Sequence, residues 1–273
     1  YLQYEKEAQT RLGDACFLQG KYADAAQVYE KVYEADPGSA DIYPALQSAI
    51  AYGLMGDESK KMDILKQVMR YNRAAPLYPQ ALFELGRTYV QAGKDDDATE
   101  CFYTLLGMEG NDYYTKALLE LALINANARK WDRAVEYYKT VVATDPQSPE
   151  AEDAISGLES IYRQRNRPEE FLSYLEEIGR SDIMSPEQKE QMIFNSAQQL
   201  YNSGRYTAAI AALQRFLAQY PKASEAGDFY DKEDFWGYRA TYDRLDRHKK
   251  WIATLDRYDI PYLEHTMAAD LIT

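Results

Sequence analysis

The residues in this chain that could do chemistry are few and poorly spaced for it. Only two histidines occur, His248 and His265, and both lie near the C-terminal end beside Asp246 and Glu264. A helical zinc hydrolase needs His-Glu-x-x-His, which sets two imidazoles one turn apart with a carboxylate base between them. That spacing is absent. A ligand set drawn from His248, His265, Asp246 and Glu264 would need all four to converge, and histidines on the outside of an amphipathic hairpin are far commoner than such a site. Cys16 and Cys101 sit among apolar neighbours with no nearby base, so neither has the electropositive surround of an activated thiol. Helix layers stand roughly 8–10 Å apart and a disulfide requires Cα atoms within about 7 Å, so both read as free core thiols. Neither a Gly-x-Gly-x-x-Gly loop nor a Gly-x-x-x-x-Gly-Lys phosphate cradle occurs. The acidic run Asp95-Asp96-Asp97 falls where a helix begins, and reads as a cap that complements the helix dipole. The sequence therefore assigns no catalytic residue, no cofactor and no metal, and is read as non-enzymatic.

Charge and composition narrow the partners. The net charge of -13 disfavours nucleic acid, because phosphate binding needs clustered Lys and Arg to release counterions. It favours a solvated surface and a basic protein or peptide partner. Gly and Pro number only 14 and 10 in 273 residues, while Tyr appears 25 times. An interior Gly or Pro costs a helix about 1 or 3 kcal/mol, so their scarcity points to long helices. No apolar run approaches the roughly 20 residues of a membrane span. The chain opens at Tyr1 without Met and ends at Thr273 in mid-pattern, so the natural protein is expected to extend further.

The elements that must position any functional residue emerge from self-comparison. Gly20, Gly56 and Gly93 recur at steps of 36 and 37 residues, and Gly204 falls three steps of 37 later. Arg129 and Asn166 hold the intervening beats. Asn tolerates the left-handed backbone that Gly supplies at such a turn, and Arg does so less readily. Five residues on come Ala25, Lys61, Ala98, Ala134, Phe171 and Ala209. A small residue there lets a second helix approach the first, so the hairpins with Lys61 and Phe171 must pack differently. Four further on stand Tyr29, Leu65, Phe102, Tyr138, Leu175 and Leu213, one helical turn along the same face. Pro37, Pro146 and Pro221 close three second helices. Ser185-Pro186-Glu187-Gln188 has the form of a capping box, and Ser148-Pro149 repeats its Ser-Pro start.

Leu12-Gly13, Cys16, Gly20, Ala25, Tyr29 and Pro37, with Leu85-Gly86, Tyr89, Gly93, Ala98 and Phe102, resemble the tetratricopeptide repeat family. The resemblance departs in its period, 36 to 38 rather than 34, and in lost Leu-Gly pairs at Ser48-Ala49, Leu158-Glu159 and Ser196-Ala197. It implies an all-α, right-handed solenoid of antiparallel helix pairs over residues 1–221, with six repeats near 6–39, 42–75, 79–110, 115–147, 150–180 and 186–221. A degenerate, aromatic-rich helical hairpin or cap is expected over 222–273. No single hairpin buries its own apolar face, so the repeats must stabilise one another.

The resemblance also implies where a partner would bind. First helices line the concave groove in this family, and the first-helix positions read as turned away from the core are Phe83, Arg87, Gln91, Leu123, Asn127, Arg163, Gln164, Phe194, Gln198, Tyr201 and Asn202. Tyr and Arg carry much of the energy at such surfaces. The Lys/Asn clamp of co-chaperone repeats is missing: its positions read Thr10/Asp14, Leu46/Ile50, Phe83/Arg87, Leu119/Leu123, Ser156/Ser160 and Phe194/Gln198. The expected function is a scaffold or adaptor binding a protein or peptide in the groove. Two alternatives stand beside it: a structural subunit self-associating through the array or its aromatic tail, and the recognition module of a larger enzyme. The long period and Tyr-rich, acidic repeats are similar to those of bacterial cell-envelope repeat proteins, which favours the periplasm or envelope over the cytoplasm.

Overall fold

The computed structural model describes residues 2–220. The expected cap at 222–273, its two histidines and Pro221 lie outside the described residues. Among those described there are twelve α-helices and no strand: α1 (Leu2–Leu18), α2 (Tyr22–Glu34), α3 (Tyr43–Leu54), α4 (Glu58–Tyr71), α5 (Tyr78–Gln91), α6 (Asp95–Leu106), α7 (Tyr114–Asn127), α8 (Trp131–Thr144), α9 (Pro149–Gln164), α10 (Pro168–Glu177), α11 (Pro186–Asn202) and α12 (Tyr206–Gln219). No described helix is long and apolar enough to cross a membrane. The chain divides into two compact units, Tyr1–Ile161 and Tyr162–Thr273. In the described part of each, consecutive helices pack on one another as antiparallel pairs, the arrangement of a tetratricopeptide-like solenoid.

All six turn positions behave alike. Gly20, Gly56, Gly93 and Gly204 have φ of 74°, 81°, 68° and 75°, and Arg129 and Asn166 adopt 56° and 54° without being glycine. At each turn the same two backbone bonds close the first helix. Lys94 N donates to Tyr89 O at 2.9 Å and Gly93 N to Val90 O at 3.0 Å, while Lys130 N and Arg129 N donate to Asn125 O and Ala126 O at 2.8 and 2.9 Å. This is the paired closure of a Schellman motif, and it needs one residue in the left-handed region.

Packing follows the same register. Ala25, Ala98 and Ala134 are 0% exposed and Ala209 is 1%. Gly13 and Gly86 carry the idea further: a Cβ on either would stand 2.5 Å from the Tyr29 ring or 2.6 Å from the Phe102 ring. Those rings come from the second helix of the same hairpin, so the Leu-Gly pairs exist to admit an aromatic. Tyr29, Phe102, Tyr138 and Phe171 are each almost fully buried, and such a side chain contributes about 1.5–3 kcal/mol.

The two hairpins that break the Ala rule do pack differently. Lys61 is buried with its stem against Gly53, and it carries its ammonium out to Glu84 at 3.3 Å. Phe171 sits against Tyr162, ring centroids 6.3 Å apart. Ser185 completes its capping box: its hydroxyl accepts from Gln188 N, and Gln188 Oε1 accepts from Ser185 N at 2.8 Å. Ser148 caps α9 by accepting from Ala151 N at 3.1 Å.

Two expectations need correction. Asp95, Asp96 and Asp97 occupy the first turn of α6 but cap nothing, because the N-cap position belongs to Lys94 and no side-chain cap bond forms. Their contribution is charge beside the helix dipole. Cys101 is a free buried thiol as expected, but Cys16, also free, is only half-buried. It lies on α1, the first helix, where no described hairpin precedes it.

Candidate functional site

In the first unit, neighbouring first helices meet along one side of the array. Tyr43 at the start of α3 donates its hydroxyl to Asp14 of α1 at 2.9 Å, and Tyr29 of α2 donates to the same carboxylate oxygen at 2.6 Å. Arg11 adds an ion pair to Asp14 at 3.1 Å. Burial alone would raise the Asp14 pKa, but these three donors overcome it and hold the carboxyl below its ordinary range. Beside this knot lies an open recess of about 560 Å³ lined by Lys6, Glu7, Thr10, Arg11, Asp41 and Tyr43. Second helices meet along another line, marked by the Tyr103 and Tyr137 hydroxyls 2.7 Å apart between α6 and α8.

Further along the first-helix side, α5 and α7 are joined by Arg87 and Glu120, with Nε 3.6 Å from a carboxylate oxygen. The two partners are unequally placed: the Arg87 side chain is 50% exposed and that of Glu120 only 20%. Burial raises the Glu120 pKa, and Arg87 offsets this only in part. Glu84, one helical turn before Arg87 on α5, takes its charge partner from Lys61 of α4. Tyr113 stands over Phe83 at 5.2 Å, and Lys116 points its ammonium at the Tyr113 ring from 5.3 Å.

The sequence-derived candidates divide accordingly. In the first unit Gln91, Leu123 and Asn127 are exposed and Arg87 is half exposed on the α5–α7 side. Phe83 is the correction: it is 7% exposed, held between Phe102 and Tyr113, and belongs to the core. A large aromatic at that position is drawn inward because Gly86, one turn on, lets Phe102 cross close to α5. In the second unit Arg163, Gln164 and Asn202 are exposed. Gln198 is half-buried there, and so are Phe194, which packs on Phe216 at 5.5 Å, and Tyr201, which meets Tyr206 edge-on at 5.5 Å. The candidates thus form two sets, one in each unit.

Sequence reasoning missed Asp14, Tyr43, Glu84 and Glu120. One signal was available, since Glu84 and Glu120 occupy the same place in consecutive repeats, 36 residues apart. Their burial was not visible in that spacing. Among the described residues no cluster of His, Cys, Asp or Glu is arranged to hold a metal.

Repeat turns at a fixed interval, glycines that seat aromatics, and hairpin-on-hairpin packing agree with comparison to known families. Tetratricopeptide repeat models match residues 3–40, 83–149 and 191–223, together about half of the chain. The chain belongs to the tetratricopeptide repeat family. Among solved structures, this repeat protein is similar to MamA, at 19% identity and a TM-score of 0.52, over 62% of this chain and 94% of MamA. It is also similar to PilF of Pseudomonas aeruginosa, at 13% identity and a TM-score of 0.53, over 83% of this chain and 97% of PilF. At these identities the likeness is one of fold. No curated protein matches the chain by sequence.

Proposed function

We propose that this tetratricopeptide repeat protein is a non-enzymatic scaffold that binds an extended segment of a protein partner along the α5–α7 side of its first unit. The Arg87–Glu120 pair carries the reading. A carboxylate that is mostly buried but met only at 3.6 Å by a half-exposed Arg keeps an unused accepting capacity towards the open side. A Lys or Arg side chain from a partner would supply it, and Leu123, Gln91 and Asn127, exposed on the same two helices, offer one apolar and two amide contacts. The overall charge of -13 draws a basic segment towards the protein. Arg163, Gln164, Gln198, Tyr201 and Asn202 on the second unit form a separate contact set in the same proposal. We place the protein in the periplasm or cell envelope on the family likeness described above, and fractionation of the native host tests that placement.

A displayed random-peptide library, selected on the wild-type protein, tests the binding mode. Selected sequences should be enriched in Lys or Arg next to an apolar residue, and Glu120→Gln should lose most of that binding while Leu123→Ala weakens it. A library without basic enrichment, or binders retained equally by Glu120→Gln, would remove this reading.

A further inference from the structure

The two helices that carry this site are electrically balanced. α5 bears one acid and one base, Glu84 and Arg87, and α7 bears Lys116 and Glu120, so each is neutral in a chain of net charge -13. Glu84 is already paired: Lys61 of α4 reaches it at 3.3 Å, and both side chains are largely buried. Lys116 sets its ammonium over the Tyr113 ring at 5.3 Å. Arg87 is left with Glu120 as its counter-charge, and its Nε stands 3.6 Å from the carboxylate, too far for a hydrogen bond.

That balance constrains what binds. When a partner's ammonium or guanidinium takes Glu120, Arg87 loses its counter-charge, and α5 has no second acid to offer, because its one carboxylate is held by Lys61. Two cations would then share one mostly buried carboxylate, and like charges brought together at an interface are costly. The Arg87 side chain is 50% exposed, so its guanidinium is open to a group arriving from solvent. A planar guanidinium suits a carboxylate, which it meets with two parallel N–H donors.

On the binding mode proposed above, on which this rests, we infer that the partner segment carries an acidic residue close to its basic one, and that the two exchange ion pairs with the site: the partner's cation takes Glu120 and its carboxylate takes Arg87. Arg87 is thereby a specificity-determining residue. It admits a segment of mixed sign and disfavours a purely basic one, which the charge of the whole chain would otherwise attract.

Peptides selected from the displayed random library on the full wild-type chain test this. Their Lys or Arg should be accompanied by a nearby Asp or Glu. Each is synthesised with a fluorescent label, both as selected and with that acid replaced by its amide. Fluorescence anisotropy then compares the wild type, Arg87→Gln and Lys116→Gln, with folding checked by circular dichroism. Arg87→Gln should weaken the acid-bearing peptide about two- to fivefold, the range of a solvent-facing ion pair. The amide form should bind Arg87→Gln at least as tightly as the wild type, because the unanswered cation is gone, and Lys116→Gln should keep the wild-type preference. Wild-type selections rich in Lys or Arg but without the acidic companion would overturn this inference and leave the basic-segment reading standing. So would an equal effect of Arg87→Gln on both forms, or a preference that disappears in Lys116→Gln instead. Selections with no basic enrichment would overturn both.

Discussion

Arg129→Gly isolates the one physical demand that every described hairpin makes. Arg129 sits at φ 56° in the turn between α7 and α8, where four of the six equivalent residues are glycine. A non-glycine residue in the left-handed region carries a steric penalty of about 1–2 kcal/mol, from Cβ against the following carbonyl. Glycine removes it but loses more conformational entropy on folding, which returns about 0.4–1 kcal/mol. The net expectation is a stabilisation of about 0.5–1 kcal/mol, a rise in melting temperature of roughly 1–3 °C for a unit of this size. Arg129 is exposed, so little packing is lost with its side chain. Arg129→Ala is the control: it removes the same side chain, keeps the Cβ, and should leave stability nearly unchanged. Gly93→Ala is the converse. It has open space around its Cβ but φ of 68°, and it should cost about 1 kcal/mol. Differential scanning calorimetry reads all three. A melting temperature for Arg129→Gly at or below that of Arg129→Ala would refute the claim that the turn, rather than the side chain, sets the cost.

Three further outcomes follow from particular contacts. Gly86→Ala, whose new methyl would stand 2.6 Å from the Phe102 ring, should destabilise by about 1–3 kcal/mol in urea unfolding. Native protein treated with a chromogenic disulfide reagent should react at the half-buried Cys16 and spare Cys101 until denaturant is added, because burial and then the Glu100 and Asp97 charges push the Cys101 thiol up to about 12. Glu120 is held by burial above the usual carboxylate pKa, so the folded state binds its proton more tightly than the unfolded chain does. Stability of the wild type must therefore fall as pH climbs from the unfolded value through the raised folded one, and Glu120→Gln should remove that slope. Thermal melts at a series of acidic to neutral pH values would show the variant gaining on the wild type across that window and holding the gain above it. A constant difference throughout would mean Glu120 is not desolvated.

The fold was legible because its signals are local and repeated. A left-handed turn residue, a small residue five positions later and a large apolar one after that are each dictated by short-range sterics, and six copies average out individual exceptions. Arg129 and Asn166 were readable as turns through the interval alone, and their backbones show why position outweighed residue type there. Lys61 stands out in the sequence as an exception, yet its solution is not readable there. The amine finds Glu84 on the next hairpin, and the room for its stem comes from Gly53; neither relation has a fixed spacing that sequence could announce.

The candidate site was less legible for the same reason turned round. Binding residues on a repeat array occupy equivalent positions but differ in type from copy to copy, so periodicity shows where a side chain stands and not how deeply it lies. Phe83 and Arg87 are both on α5, four positions apart and on one face by helical spacing, and yet one is sealed under Tyr113 and the other is half in solvent. What separates them is tertiary: Phe102 crosses close to Gly86 and offers Phe83 a ring to pack on, whereas Arg87 looks across to α7. The same comparison of equivalent positions is most informative where it breaks. Leu12 repeats a residue type that Leu85 and Leu121 bury, and its 54% exposure marks a surface that the repeat's own packing rule leaves without a cover among the described residues. The same leucine is sealed on α5 and α7 and exposed on α1, so what decides its burial is the second helix packed against it and not its residue type.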